Sequence, residues 1–389
     1  MNILIVTPYY EPNIVGGAEI STQLLAENMA KIGHKTHVLT IGKIDKEEII
    51  NNVIVHYINV KNMYTVWEHV LRGKKQNVFL KAKSLILTNY VNPKLVRRYN
   101  KFINRQKIDI AIINSNEECF GRASLWKSFS VSKIPAVLTL RDPLLLEKKI
   151  GRIDVSKFYC NLISKQMKWI SAYAAPSKYM FNLYEKKGFY FDVKKVIYNA
   201  VDIEQTYKPT KRKRVLYAGG LVEKKGIRTL LNAVESLNND DFELVFIGRG
   251  EMEKELCENS AVKVISWMQR EALYKYMQES WVVVLPSEWP EAFGRVIIEA
   301  IFNGTLAIGS SAGGIPEIFD NDEKYIFQEK NTDELRKILD RIMKLTEKEY
   351  KNEVLSLQKK FHAFDNVSFC REWNSYIHDI CKTKNYKRI

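Results

Sequence analysis

Residues 281–300 read WVVVLPSEWPEAFGRVIIEA. The run Trp281-Val282-Val283-Val284-Leu285 has the unbroken apolar character of a strand buried on both faces, and Pro286-Ser287 turns the chain at its carboxyl end. From Phe293-Gly294-Arg295 onward the apolar residues recur at helical spacing. Backbone N–H groups at a helix start attract phosphate, and a carboxylate accepts hydrogen bonds from sugar or ribose hydroxyls. Glu291 and Glu299 bracket that helix start, so the stretch fits a nucleotide-sugar pocket. The same spacing also fits a Glu291 that decorates the helix N-terminus and a solvated Glu299.

Outward from this stretch the alternation repeats. Strands are predicted at Val215–Ala218, Phe242–Ile247, Val262–Ser266, Trp281–Leu285 and Leu306–Gly309, with helices at Gly226–Leu237, Glu251–Glu258, Arg270–Glu279 and Gly294–Asn303. The first half opens with a βαβ unit: a strand at Ile3–Thr7, a helix at Ala18–Ile32 ended by Gly33, and a strand at Thr36–Ile41. Further strands are predicted at Val53–Ile58, Asp109–Ile113, Ala136–Leu140, Ala172–Ala175 and Val196–Tyr198. Such alternation implies an α/β chain with two Rossmann-like, doubly wound parallel sheets. Gln205–Arg214, polar and basic, reads as a linker. The expected domains are 1–204, 205–365, and a C-terminal helical segment 366–389 packing back on the first. Ligands are expected at the carboxyl ends of both sheets, on loops facing a central cleft.

The bulk properties narrow the classes. A chain of 389 residues exceeds one ordinary core, and 46% hydrophobic with 27% charged residues is the balance of a globular protein that folds throughout. Five scattered cysteines without a C-x-x-C pair fit a reducing, cytoplasmic setting and no zinc site. Met1 runs directly into a strand, so no secretory leader is expected, and no apolar stretch approaches the roughly 20 residues of a spanning helix. The net charge of +15 is concentrated: residues 61–110 hold twelve Lys and Arg against Glu68 and Asp109, which is +10 of the total. Apolar residues such as Trp67, Leu71 and Ile86 are interleaved with these charges, as in a helix lying on an anionic membrane surface, though a basic solvated helix pair has the same pattern. Nucleic acid is not expected as a partner, because no helix-turn-helix, RNP or zinc-finger pattern accompanies the charge.

Tyr217-Ala218-Gly219-Gly220-Leu221, Lys225-Gly226, Ile247-Gly248-Arg249-Gly250, Pro286-Ser287, Glu291 to Glu299, and Gly313-Gly314-Ile315-Pro316-Glu317 follow one another in a fixed order. In this the chain resembles family 4 of the retaining glycosyltransferases. The resemblance extends to Gly16-Gly17-Ala18-Glu19, Ala175-Pro176-Ser177 and Val196–Asp202 in the first half. It implies the GT-B fold and transfer of a sugar, hexosyl in type, from a nucleotide-diphosphate donor to a glycan or lipid-linked acceptor with retention of configuration. It also implies roles for single residues. Glu299 would bind the donor ribose, and Glu291 would contact the transferred sugar and stabilise positive charge at its anomeric carbon. Lys225 would meet the diphosphate together with amides at Gly219, Gly220, Phe293 and Gly294. Gly16 and Gly17 would let backbone approach the donor or acceptor, and Gly313 and Gly314 are acceptor or phosphate candidates. Lys224 reads as solvated.

Departures from the family pattern sharpen these expectations. The usual Gly-Arg-Leu is Gly219-Gly220-Leu221 here, so a second cation for the diphosphate must come from elsewhere: Arg249, Arg295, or Arg141 of Arg141-Asp142. Asn114 stands where a histidine is familiar, and no general base is named. Front-face attack, with a donor phosphate oxygen taking the acceptor proton, requires none. Positioning and stabilisation of the departing diphosphate would then carry the catalysis. No cofactor or metal is expected, since Lys225 and helix N-termini can neutralise the diphosphate and no Asp-x-Asp motif is evident. Two other readings remain open: a nucleotide-sugar epimerase of similar architecture, and a non-catalytic homologue.

Overall fold

The computed structural model describes residues 1–12, 16–60, 78–114, 118–143, 145–150, 152–208, 212–235, 237 and 242–383. The chain divides into two compact units, one of residues 1–176, 180–197 and 370–389, the other of residues 177–179 and 198–369. The chain passes between the units at 176/177, 179/180, 197/198 and 369/370, the last two several residues from the boundaries expected after 204 and 365.

In the first unit, β1 (Asn2–Val6), β2 (Lys35–Ile41), β3 (Lys46–Ile50), β4 (Val53–Ile58), β5 (Ile110–Asn114) and β6 (Ala136–Thr139) are joined by β9 (Ala172–Ala175) and β10 (Lys194–Val196). The sheet order is β10-β9-β6-β5-β1-β2-β4-β3, parallel except for β3 against β4. The buried runs Ile3–Val6 and Ile110–Ile113 lie at its centre, as parallel strands covered on both faces should. Strand β3, absent from the sequence expectation, exists because Asn51 and Asn52 both take positive φ and close a two-residue hairpin that sets Ile50 opposite Val53. β7 (Lys149–Ile150) and β8 (Ile153–Asp154) form a separate small hairpin.

The basic region becomes the helices Val78–Asn89 and Pro93–Gln106; residues 61–77, with Trp67 and Leu71, lie outside the described residues. Asn92 caps the second helix by accepting from the amides of Lys94 and Leu95, and Pro93 fits its first turn. That helix buries Val96, Tyr99 and Ile103 and leaves Lys94, Arg97, Lys101 and Arg105 in solvent. The C-terminal helix Asn366–Lys382 meets this unit through Asn374, hydrogen-bonded to His34, and through the Tyr376 hydroxyl, which donates to the Tyr173 carbonyl.

In the second unit, β11 (Arg214–Ala218), β12 (Glu243–Ile247), β13 (Val262–Ile265), β14 (Val282–Leu285), β15 (Leu306–Ser310) and β16 (Ile326–Phe327) pair in parallel in the order β13-β12-β11-β14-β15-β16. Val282, Val283 and Val284 are almost wholly buried, so the opening stretch is a central strand. The described ends of the segment read as a linker are tied down. Arg214 is 2% exposed, with its Nε 2.7 Å from Glu243, because it begins β11; Gln205 donates to the Gln358 carbonyl. Buried charge with a close partner is the opposite of a free linker.

Candidate active site

In an open parallel sheet the ligand crevice lies outside the carboxyl ends of the two strands where the order reverses. In the second unit the chain runs β11, β12, β13 outward and then crosses to β14, so the switch lies between β11 and β14. Lys225, on the loop after β11, and Glu291, on the loop after β14, meet there: Lys225 Nζ is 2.5 Å from Glu291 Oε1. The buried Ser287 donates its hydroxyl to the same oxygen at 2.9 Å, and its own carbonyl accepts from Ser310 at 2.6 Å. Lys225 and Glu291 keep partial exposure, 25% and 18% of their side chains, so the pair faces solvent from a fixed seat.

The backbone builds that seat. Gly226 has φ 70°, and a Cβ on it would stand 1.8 Å from the Pro286 carbonyl oxygen, so only glycine lets the Lys225 turn lie against the end of β14. The Lys224 carbonyl accepts from the amides of Glu288 and Trp289 at 3.0 and 2.9 Å, and its ammonium lies 4.6 Å from the Trp289 ring centroid. Lys224, expected to be merely solvated, therefore clips the two loops together. Gly313 and Gly314 brace the other side: a Cβ on Gly313, at φ 72°, would lie 2.2 Å from the Glu291 carbonyl oxygen, which accepts from the Gly314 amide at 2.8 Å. They thus pack on the backbone of Glu291 itself.

Glu317 and Ser177, quoted above only as motif members, meet beside this loop. The Glu317 carboxylate accepts from the amides of Lys178 and Tyr179 at 2.8 and 2.6 Å, and the Ser177 hydroxyl donates to the Ala292 carbonyl at 2.7 Å. Partners 139 residues apart leave no local signal of such pairing.

Phe293 is 2% exposed and stacks on Tyr198 at 5.7 Å, so its side chain belongs to the core and only its backbone can face a ligand. Gly294, at φ 110°, caps the helix Arg295–Phe302. On that helix Arg295 Nε lies 2.8 Å from Glu299 Oε1, with side chains only 11% and 9% exposed. Glu299 is thus no solvated surface residue. Gly219 and Gly220 form a loop stitched to Gly248–Gly250: the Leu221 amide donates to the Arg249 carbonyl at 2.9 Å, and a Cβ on Gly248 would lie 1.8 Å from the Gly219 oxygen. The Tyr217 hydroxyl donates to the Gly220 carbonyl at 2.7 Å.

The three candidates for a second diphosphate cation are placed differently. Arg249 is exposed and turned toward Ser266, its Nε 2.9 Å from that hydroxyl at the end of β13, away from the switch. Arg295 is committed to Glu299. Arg141 belongs to the first unit, half-buried at the end of β6 beside Asp142, whose carbonyl accepts from Tyr184.

The first unit reverses its order between β1 and β5. Gly16 takes extended backbone before the helix Gly17–Lys31, whose first turn carries the buried Glu19. Asn114, at the end of β5, donates to the Thr22 hydroxyl at 3.3 Å. Sequence reasoning missed a charge cluster next to this edge. Glu118 pairs with Lys148 at 2.6 Å and accepts from Tyr159 at 2.9 Å, while the fully buried Arg122 donates to Tyr159 at 2.8 Å. Burial pushes the Glu118 carboxyl up, and Lys148 and Arg122 more than offset it, leaving it below the ordinary carboxylate value.

The Glycosyltransferase Family 4 model matches residues 15–205, and the Glycosyl transferases group 1 model matches residues 200–354. A protein from the cps region of Klebsiella pneumoniae is 28% identical over 339 residues, which is 82% of this chain and 87% of that protein. An uncharacterized glycosyltransferase of Methanocaldococcus jannaschii is 27% identical over 374 residues, 88% of this chain and 89% of that one. The Anabaena protein HepE, solved in complex with UDP and glucose, superposes with a TM-score of 0.71 at 17% identity, over 97% of this chain and 100% of that one. That likeness identifies the two Rossmann-like units as GT-B in type. Matched by both models from the Gly16-Gly17 turn to beyond Gly313-Gly314, the chain belongs to the family 4 glycosyltransferases.

Proposed function

We propose that this protein is a retaining, hexosyl-type glycosyltransferase that moves a sugar from a nucleotide-diphosphate sugar to a glycan or lipid-linked acceptor in cell-envelope polysaccharide synthesis. The observation that carries the reading is the Lys225–Glu291 pair at the switch between β11 and β14, with Glu299 one helix further on. A cation for the diphosphate, Lys225, and an acceptor for sugar hydroxyls, Glu291, touch each other, and an acceptor for the ribose, Glu299, stands on the helix that follows, so the three kinds of group a nucleotide sugar presents each have a partner. HepE, solved with UDP and glucose, supports a nucleotide-sugar donor, and the relative in a cps region supports an envelope polysaccharide as destination.

In this reading the donor phosphate oxygen takes the acceptor proton, Lys225 and loop amides stabilise the leaving diphosphate, and Glu291 faces the anomeric carbon. The test is a panel of UDP-, GDP- and ADP-sugars assayed for nucleotide release with and without an oligosaccharide acceptor, with the product's anomeric configuration read by NMR. Acceptor-dependent release that falls by roughly a hundredfold or more in Lys225→Ala and Glu299→Ala is expected. Conversion of the sugar without release would mark an epimerase, no release from wild type with any donor a non-catalytic homologue, and release indifferent to both substitutions would sink the assigned site. Because protein groups neutralise the diphosphate here, activity is expected to survive EDTA; its loss and recovery with Mg²⁺ would overturn that part. The acceptor is proposed to reach the enzyme at an anionic membrane face met by the first unit's basic helix.

A further inference from the structure

Arg295 is oddly placed for a helix residue. It is the first residue after the N-cap Gly294, where a cation opposes the helix dipole, and it precedes its glutamate by four positions, the less favourable order for such a pair. Helix stability therefore gives no reason for a guanidinium there. Both side chains are nearly dry, so the contact is not a loose surface pair. A second element stands beside the pair: Tyr274, on the helix Arg270–Glu279, is near enough for the charges of both Arg295 and Glu299 to act on its hydroxyl.

We propose that Arg295 is a positioning residue for donor recognition. It holds Glu299 through Nε and Oε1, leaving the carboxylate's remaining lone pairs aimed at the ribose diol, with Tyr274 beside the pair. The inference rests on the reading of Glu299 as the ribose ligand. An ionised carboxylate has about four acceptor positions, of which this contact uses one, so a diol can still be held by two. Without its partner the carboxylate would be free to rotate, and a diol that needs two fixed acceptors would lose at least one. Arg295 then acts on the nucleoside through Glu299, not on the diphosphate, which accounts for a first-turn arginine turned away from the switch.

The experiment measures the binding of UDP, GDP and ADP by calorimetry, then compares the tightest of them with its 2′-deoxy and 3′-deoxy forms in wild type, Glu299→Gln, Arg295→Met and Arg295→Lys. Wild type is expected to favour the ribonucleotide by about tenfold or more, as for a hydroxyl bonded to a charged acceptor. Glu299→Gln and Arg295→Met should bring the ratio close to one, and Arg295→Lys should restore part of it. Inorganic pyrophosphate should bind wild type and Arg295→Met alike. A ribose preference that survives Glu299→Gln sinks the ribose reading and this inference with it. A preference lost in Glu299→Gln yet kept in Arg295→Met overturns the inference alone. So does a parallel loss of pyrophosphate and nucleotide binding in Arg295→Met, which would make Arg295 a diphosphate ligand. Arg295→Lys retains charge and bulk, so it carries the comparison if the methionine variant fails to fold.

Discussion

At the scale of single residues, Gly220 is the informative absence. Where a Cβ would stand there is no atom within 4 Å, in contrast to Gly226 and Gly248, which backbone contacts hold to glycine. Packing therefore leaves room for the arginine that the family resemblance leads one to expect. With Arg249 turned to Ser266 and Arg295 held by Glu299, the second unit places neither candidate on the diphosphate. Gly220→Arg is predicted to leave the melting temperature nearly unchanged, as surface substitutions do, and to lower the donor KM on the order of tenfold through a charge-assisted bond. Thermal melts with donor titrations check this; an unchanged KM would mean that the diphosphate does not pass Gly220. The same residues show what a sequence can reveal of a site. Glu291, Glu299 and Lys225 were legible because strand ends and helix starts fix where a loop residue must lie. The aim of Arg249 and Arg295 was not, because a long flexible side chain points wherever its tertiary partner is.

At the scale of elements, the parallel strands were legible because burial on both faces writes them as apolar runs such as Ile3–Val6 and Trp281–Leu285. Strand β3 was not, since Lys46, Glu47 and Glu48 carry no apolar signal; the Asn51-Asn52 pair between Ile50 and Val53 was the available clue. That hairpin encloses a titrating pair. His37 on β2 and His56 on β4 are buried, with His37 Nδ1 2.9 Å from His56 Nε2, and Glu47 on β3 lies 3.0 Å from the other nitrogen of His56. Burial lowers both to about 4, with His56 and Lys35 adding to the effect on His37, and Arg105 and Lys35 to that on His56. In the unfolded chain each titrates near 6.5, so between about pH 6.5 and 4 the unfolded state binds more protons. Stability should thus be complete above about pH 6.5 and fall as the pH drops through that window, by up to roughly 1.4 kcal/mol per pH unit for each histidine. Melting curves from about pH 7.5 to 4.5 should show this slope, and the double variant His37→Leu, His56→Phe should flatten it. Equal slopes in the two proteins would remove the pair as the cause.

At the scale of the whole molecule, the net charge of +15 calls for an anionic counterpart, and the first unit presents a surface for one. On the helix Pro93–Gln106 the apolar stripe is used internally, so Lys94, Arg97, Lys101 and Arg105 form an exposed row without apolar residues of its own to insert. Arg98 differs: it is held by Asp45 and by the Asn59 carbonyl, and its neutralisation would damage the fold as well as the charge. Tyr90, 60% exposed, lines a hollow together with Lys94, and Ile86, on the preceding helix, is 66% exposed. Among the described residues no helix is long and apolar enough to cross a membrane. Each lysine or arginine near an anionic bilayer contributes about 1 kcal/mol, and four together about 4 kcal/mol, which is enough to govern partition. Flotation with vesicles containing phosphatidylglycerol should therefore capture the protein at about 0.1 M salt and release it as screening shortens the reach of the charges. Replacing Lys94, Arg97, Lys101 and Arg105 with glutamine should abolish capture without altering donor turnover on a water-soluble acceptor, whereas Ile86→Asp should weaken it partially. Capture by purely zwitterionic vesicles, or binding unmoved by salt and by the fourfold variant, would show that the basic helix is only a solvated face.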